Sequence, residues 1–315
     1  MSIAAEMTVV LMIDRRRSRA ERVLRSVLEQ SAIDRLEILL FDFGYRACPP
    51  LPGSDHPAVT IIPMHYPSSI GAVRLEGFRR ASAPVVAFLE EHAMALEGWA
   101  EALIGAFASG EWAGVGAEVH PLNPGKLGDA LFQMNYPAYT APMQRGPRSI
   151  LQGNNSAYRR DAVLGLGDDL LDLLEIESLL NHRLTERGFR LIAEPTARFA
   201  HANEHILLTF IEGDYIFSRL FGALRSEAQG WSIEQRLGRV AGAPLIPFVR
   251  VARLLRNTVT QRPQLLSLLL PALPALFCAE VSSVCGQTMG LLFGEGCTRE
   301  QFLFYELNAL RDEVD

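Results

Sequence analysis

Two apolar runs separated by one amphipathic segment constrain the fold of this chain more than any other feature. Residues 8–13 (TVVLMI) and 36–41 (LEILLF) lack a regular polar alternation, which is typical of strands buried on both faces. Between them, apolar side chains recur at helical spacing, and Ser18 with Glu21 matches a capping box. A strand, a helix and a strand in this order imply a parallel pair with a right-handed crossover.

The same pattern continues along the chain, with a strand predicted at 59–62, a helix at 70–81 and a strand at 85–89. Ligands of open α/β sheets bind just beyond the carboxyl ends of the strands. The residues that follow three predicted strand ends are polar or charged: Asp14, Asp42, Glu90, Glu91 and His92. The sequence therefore predicts a binding site at this edge of the sheet.

The rest of the chain is predicted to complete one α/β domain and a helical region. Helices are expected at 99–108 and 170–187, strands at 114–119 and 189–193, and a long loop at 120–149. We expect a mostly parallel nucleotide-binding sheet flanked by helices over residues 1–205. Residues 206–315 are expected to form the helical C-terminal region.

Seven short motifs in this order resemble family 2 glycosyltransferases, which have the A-type glycosyltransferase fold. The resemblance covers about residues 7–203 and rests on VVLMIDR at 9–15, SVLEQ at 26–30, EILLFDFG at 37–44, GAVRLEG at 71–77, FLEEH at 88–92, QGNNSAYRR at 152–160 and EIESLLNHRL at 175–184. Gly98-Trp99 and Ala200-His201 match the family as well.

The resemblance implies an inverting transfer of a sugar from a nucleotide diphosphate, with UDP expected, to a glycan or lipid-linked acceptor. It assigns the nucleotide sugar to Asp14, Asp42, Arg74, Glu90 and Glu91, the acceptor side to Asn154 and Asn155, and the general base to Glu177. Arg74 has two alternatives, ordering a loop or approaching the diphosphate.

The resemblance also implies a divalent metal against the diphosphate. His92 stands where the family has the last acid of its metal motif, and His201 matches a second family ligand. Because Mg²⁺ prefers oxygen ligands while Mn²⁺ tolerates imidazole, we expect Mn²⁺ or Mg²⁺, with Mn²⁺ favoured.

Several positions depart from the family pattern and raise a second interpretation. Ile176 replaces the glutamate of the family's acidic pair, and no aspartate is present at 90–92. The alternative is a degenerate, non-catalytic member that serves as a binding or scaffolding protein. A nucleotidyltransferase is a weaker third interpretation, since no Gly-rich, Lys-containing phosphate loop follows the first strand.

Charge and cysteine usage narrow the partners and the compartment. A net charge of −6 gives no reason to expect a nucleic-acid partner, because binding to a phosphate backbone depends mostly on a clustered positive surface. The four cysteines show no metal-ligand spacing. The apolar run 8–13 is short, and arginines follow it instead of preceding it, so no secretory pattern is expected and the cytoplasm is favoured.

An arginine-rich segment near the C-terminal end leaves two interpretations open. Residues 228–294 carry six arginines, and the apolar run 265–279 lies within them. Contact with an anionic membrane surface, peripheral at the inner membrane face, and a helical subdomain packed on the core are equally consistent with this pattern. A membrane span is disfavoured by Pro271 and Pro274.

Overall fold

The structure is a computed structural model that describes residues 4–66, 68–152, 155–167 and 169–311. Its contacts divide the described residues into two compact units. The N-terminal unit contains Met1–Leu122 and Ala138–Ala202, and the C-terminal unit contains Asn123–Pro137 and Asn203–Asp315. The domain boundary at residue 205 stays a prediction, because residues 123–137 group with the C-terminal helices.

The described residues form nine strands and twelve α-helices. The strands are β1 (Met7–Ile13), β2 (Leu36–Asp42), β3 (Val59–Pro63), β4 (Val85–Glu90), β5 (Ala93–Ala95), β6 (Trp112–Pro121), β7 (Gly146–Arg148), β8 (Ser156–Arg159) and β9 (Arg190–His201). The helices are α1 (Arg17–Leu28), α2 (Ile70–Arg80), α3 (Trp99–Ala108), α4 (Lys126–Asn135), α5 (Arg160–Leu164), α6 (Leu170–Glu175), α7 (Glu177–Glu186), α8 (Leu207–Ala228), α9 (Ile233–Gly242), α10 (Ile246–Gln261), α11 (Leu266–Phe293) and α12 (Thr298–Asn308).

All nine strands belong to one mixed sheet in the N-terminal unit. Its order is β3-β2-β1-β4-β8-β6-β9-β5, and β7 pairs with β9. The first four strands are mutually parallel, as the two predicted crossovers require, while β8 pairs antiparallel with both β4 and β6. The α/β fold with flanking helices and a C-terminal helical region is confirmed.

Two polar side chains fix α1 against the sheet. Ser26 accepts a hydrogen bond from the backbone N–H of Ala95, and Gln30 donates to the carbonyl of Leu96 and accepts from the N–H of Ala100. Two of these bonds satisfy the backbone N–H groups of Ala95 in β5 and Ala100 in α3. The predicted capping box is wrong, because α1 begins at Arg17 and Ser18 lies inside it.

Two predicted element boundaries are wrong, and both corrections position functional residues. The helix expected at 170–187 breaks at Ile176, which is extended, so that Glu177 begins α7. Pro195 does not end its strand: the pairing with β6 shifts between Ala117 and Glu118, and β9 continues to His201. A bulge of this kind accommodates a proline, which cannot donate to the ladder.

The C-terminal unit is built around α11, which packs closely on α8 through glycines. A Cβ added at Gly290 would lie 2.1 Å from the carbonyl oxygen of Arg219, so only glycine allows this approach. In the region predicted as a loop, α4 forms instead and packs its Leu131 with Leu276 of α11. Pro271 and Pro274 lie inside α11, and Pro263–Phe293 is long and apolar enough to cross a bilayer by length and composition alone.

Candidate functional site

The register of the parallel strands brings the predicted strand-end residues to one edge of the sheet. Ile13 pairs with Asp42, and Met12 pairs with Glu90, so β1, β2 and β4 end at the same level. The backbone N–H of Asp14 donates to the Glu91 carboxylate at 3.1 Å, which ties two of the predicted residues together. Sequence periodicity is sufficient to predict this convergence, because it fixes where each strand stops.

Two residues that the sequence interpretation did not include contact the aspartates at this edge. The Arg17 guanidinium donates to both carboxylate oxygens of Asp42, at 3.0 and 2.9 Å. The Tyr66 hydroxyl donates to Asp14 at 3.0 Å, and its ring lies 4.7 Å from the ring of Phe43. Both aspartates are therefore held by hydrogen bonds, beside aromatic rings suited to stacking on a planar ligand.

Two side chains at the end of β4 and one at the end of β9 converge at this edge of the sheet. The Nε2 atoms of His92 and His201 lie 3.0 Å apart, and the Glu90 carboxylate oxygen Oε2 lies 3.3 Å from the first and 3.2 Å from the second. All three side chains are buried. His201 reaches this position because β9 continues through Pro195, and the backbone N–H of Ala202 donates to the His92 carbonyl.

The geometry of this triad fits a divalent metal ion. Ligands about 2.1 Å from an octahedral ion stand about 3.0 Å from their neighbours, and the three measured separations are close to that value. Two imidazole nitrogens and one carboxylate also form a set of donors typical of borderline divalent ions. The predicted metal ligands His92 and His201 are thus together, and Glu90, predicted on the nucleotide side, joins them.

The two histidines also lower the pKa of Glu90. Burial alone would raise its pKa, but the charges and hydrogen bonds of His92 and His201 outweigh burial and hold the pKa of Glu90 well below its ordinary value. The carboxylate is consequently ionised in the folded protein near neutral pH.

Asn155, predicted on the acceptor side, lies against Glu90. Its side-chain N–H₂ donates to Glu90 Oε2 at 2.9 Å, and its carbonyl oxygen accepts the backbone N–H of Glu90 at 3.1 Å. The second residue expected on the acceptor side, Asn154, lies outside the described residues. The arrangement makes Asn155 a positioning residue for the triad.

Arg74 forms a buried ion pair with Glu177, the predicted general base. The guanidinium also donates to the carbonyl of Leu174 at 2.8 Å and lies 5.6 Å from the ring centroid of Phe88. Arg74 is only 1% exposed, which argues against direct contact with a diphosphate and in favour of the ordering role. The ion pair fixes the position of the Glu177 carboxylate.

The ion pair and the triad share one face of the sheet. Phe88, beneath Arg74, and Glu90 are two residues apart in β4, so their side chains point to the same face, about 7 Å apart along the strand. Tyr158 of β8 lies close enough for the Glu177 charge to add to burial in raising the pKa of the tyrosine. The Arg74–Glu177 ion pair and the metal-type triad therefore lie on the same face of the sheet.

Comparison with known proteins gives one family and two similar solved structures. The family model described as "Glycosyl transferase family 2" matches residues 8–166. No curated protein matches the chain significantly in sequence. The mannosyltransferase PcManGT from Pyrobaculum calidifontis, solved with GDP-Man and Mn²⁺, is 16% identical with a TM-score of 0.55, covering 93% of this chain and 88% of that one.

GalNAc-T7, solved with UDP, GalNAc and Mn²⁺, is 14% identical with a TM-score of 0.49. That match covers 64% of this chain, which spans 44% of the length of GalNAc-T7.

Proposed function

Because this chain belongs to glycosyltransferase family 2, we propose that it transfers a sugar from a nucleotide diphosphate, with UDP expected, to a glycan or lipid-linked acceptor. The family and the A-type fold make it a glycosyltransferase, and the donor, acceptor and inverting stereochemistry are the proposal. The observation that carries it is the Glu90–His92–His201 triad at the edge where β1, β2 and β4 end.

The triad supports a metal-assisted departure of the diphosphate. A divalent ion held by Glu90, His92 and His201 would neutralise the leaving group. PcManGT was solved with Mn²⁺, and the two imidazoles here also favour Mn²⁺ over Mg²⁺.

On the donor side, Asp42 and Asp14 are proposed to accept hydrogen bonds from the base and the ribose. Arg17 and Tyr66 hold these carboxylates in place, and the ring of Tyr66, close to that of Phe43, offers a stacking surface. If Asp42 exchanged one of its hydrogen bonds to Arg17 for one to the nucleotide, the donor would be ordered without movement of the strands.

Glu177 is proposed as the general base. As the acceptor oxygen attacks the anomeric carbon, its proton passes to the Glu177 carboxylate, and the bond to the diphosphate breaks with its electron pair leaving on the phosphate oxygen. Attack from the side opposite the leaving group inverts the anomeric centre. Arg74 supports this role by fixing the position of the Glu177 carboxylate.

Titration calorimetry with UDP, GDP and dTDP, with and without Mn²⁺, tests donor binding, and absence of binding to all three would overturn the proposal. Turnover is tested by donor hydrolysis in wild type and in Glu177→Gln, with Glu186→Gln as the matched control. Glu186 lies exposed at the other end of α7. Binding of nucleotide and Mn²⁺ with no turnover in wild type would identify the non-catalytic binding protein instead.

A further inference from the structure

The helix α9 presents almost all of its surface to solvent. None of its ten residues is buried, and Ile233 and Leu237, one turn apart, are 74% and 51% exposed. A helix of this length is marginal by itself and derives its stability from burying an apolar face. Here the apolar face is the exposed one, which indicates that something outside the chain covers it.

The exposed apolar residues continue along the following turn and α10. Both α9 and α10 pack on α11 and carry further large side chains on the outside. We define the α9–α10 surface by its six exposed apolar residues: Ile233, Leu237, Leu245, Phe248, Val249 and Val259. Isolated exposed apolar residues are ordinary, but six within 27 residues mark an interaction surface.

Positive charge accompanies this surface. Residues 229–294 contain six arginines and two glutamates, whereas the whole chain carries a net charge of −6. One of the two acids, Glu280, is already paired with Arg250 at 3.0 Å. Arg253 and Arg256 are exposed on α10, between Val249 and Val259. The occupant of the surface must therefore be both apolar and negatively charged.

A second copy of the chain does not meet this requirement. A two-fold dimer formed through the α9–α10 surface would bring the same arginines of both copies into one interface, where like charges repel. An anionic bilayer supplies both components, with acyl chains for Phe248 and Leu237 and headgroup phosphates for Arg253 and Arg256.

We propose that the α9–α10 surface docks on an anionic lipid bilayer, with its helices lying in the plane of the interface. With 10 and 16 residues, α9 and α10 are about 15 and 24 Å long, shorter than the roughly 30 Å of a hydrocarbon core. The long alkyl stems of Arg253 and Arg256 allow their charged ends to stay at headgroup level. The protein is accordingly a peripheral one.

The test is sedimentation of the full chain with sucrose-loaded vesicles. We expect binding to vesicles of phosphatidylcholine with about one third phosphatidylglycerol, weak binding to phosphatidylcholine alone, and release in high salt. Equal binding to both vesicles, or none, overturns the proposal. Resistance to high salt and alkaline carbonate also overturns it, because that behaviour belongs to a spanning helix.

Variants locate the surface. Arg253→Gln with Arg256→Gln should weaken partitioning by about 5-fold for each arginine, and Ile233→Ser with Leu237→Ser by about 10-fold or more. The controls are Arg79→Gln with Arg187→Gln, and Phe304→Ser, which change other exposed residues. Circular dichroism checks that each variant is folded.

An equal loss of vesicle binding in the control variants would overturn the assignment. So would a dimer that light scattering detects without vesicles and that the Ile233 and Leu237 substitutions abolish. The assay contains neither nucleotide nor metal, so its outcome is independent of the proposed glycosyl transfer.

Discussion

Asn155 holds Glu90 by both ends of its amide, donating to the carboxylate at 2.9 Å and accepting the backbone N–H at 3.1 Å. This pairing leaves the carboxylate little freedom to turn away from His92 and His201. Residues that orient metal ligands in this way typically contribute 10- to 100-fold to metal affinity.

Asn155→Ala should therefore weaken Mn²⁺ binding by about 10- to 100-fold. Calorimetric titration of Mn²⁺ into the nucleotide-free protein measures the change directly. Asn123→Ala removes another buried amide, in the C-terminal unit, and serves as the control for general destabilisation. Unchanged Mn²⁺ affinity in Asn155→Ala would show that Glu90 needs no such support.

His92→Asp should shift the metal preference towards Mg²⁺. The substitution replaces one of two imidazoles with an oxygen ligand, which a hard ion prefers. We expect the ratio of Mn²⁺ to Mg²⁺ affinity to fall by about 10-fold or more. A 10-fold change corresponds to a binding free-energy difference of only about 1.4 kcal/mol. Competition titration with the two ions gives the ratio, and an unaltered ratio would exclude His92 as a ligand.

Arg74→Met should destabilise the protein by about 3–5 kcal/mol, because it leaves the Glu177 carboxylate buried without its partner. The double variant Arg74→Met, Glu177→Met should recover most of that loss, since neither charge then remains buried. Urea unfolding of wild type, both single variants and the double variant completes the cycle. Additive losses in the cycle would mean that the two residues do not interact.

The C-terminal unit should lose stability as the pH rises from 4 to 7. Burial first, and then the charge of Glu280, raise the pKa of Asp214 to about 7 against the opposing charge of Arg250. Between pH 3.8, the pKa of Asp214 in the unfolded chain, and about pH 7, its pKa in the folded protein, only the folded protein keeps the proton. The free energy of unfolding therefore falls as the pH rises through this window.

Asp214→Asn should remove this pH dependence and increase stability at pH 8 by up to a few kcal/mol, at about 1.4 kcal/mol per pKa unit. Thermal unfolding of wild type and variant across that pH range is the measurement. Parallel curves for the two proteins would show that Asp214 titrates normally.

The sheet and its binding edge follow from local sequence signals. Apolar periodicity predicts β1, β2 and β4 to within about a residue, and the polar residues after them, such as Asp14 and Asp42, lie where the strand-end rule places them. The start of α2 is likewise marked locally, because Ser69 caps the helix by accepting the backbone N–H of Ala72.

Features that depend on distant partners could not be predicted. Pro195 is normally a strand terminator, and only the register shift against β6 allows β9 to continue. The contacts of Arg17 and Tyr66 depend on the path of the chain after β1 and β3, which no periodicity specifies. Pro271 and Pro274 lie inside a helix that tertiary packing on α8 stabilises against their propensity.

The continuation of β9 also has a mechanical consequence. Glu90 ends β4 and His201 ends β9, and these strands are not neighbours in the sheet, so an ion bound by the triad would cross-link them. Such a link stabilises the native state by mass action, by about 2.7 kcal/mol at a metal concentration 100 times the Kd. The ion that neutralises the departing diphosphate would thus also stabilise the edge of the sheet that binds the donor. EDTA should therefore lower the melting temperature of the metal-bound protein even without substrate.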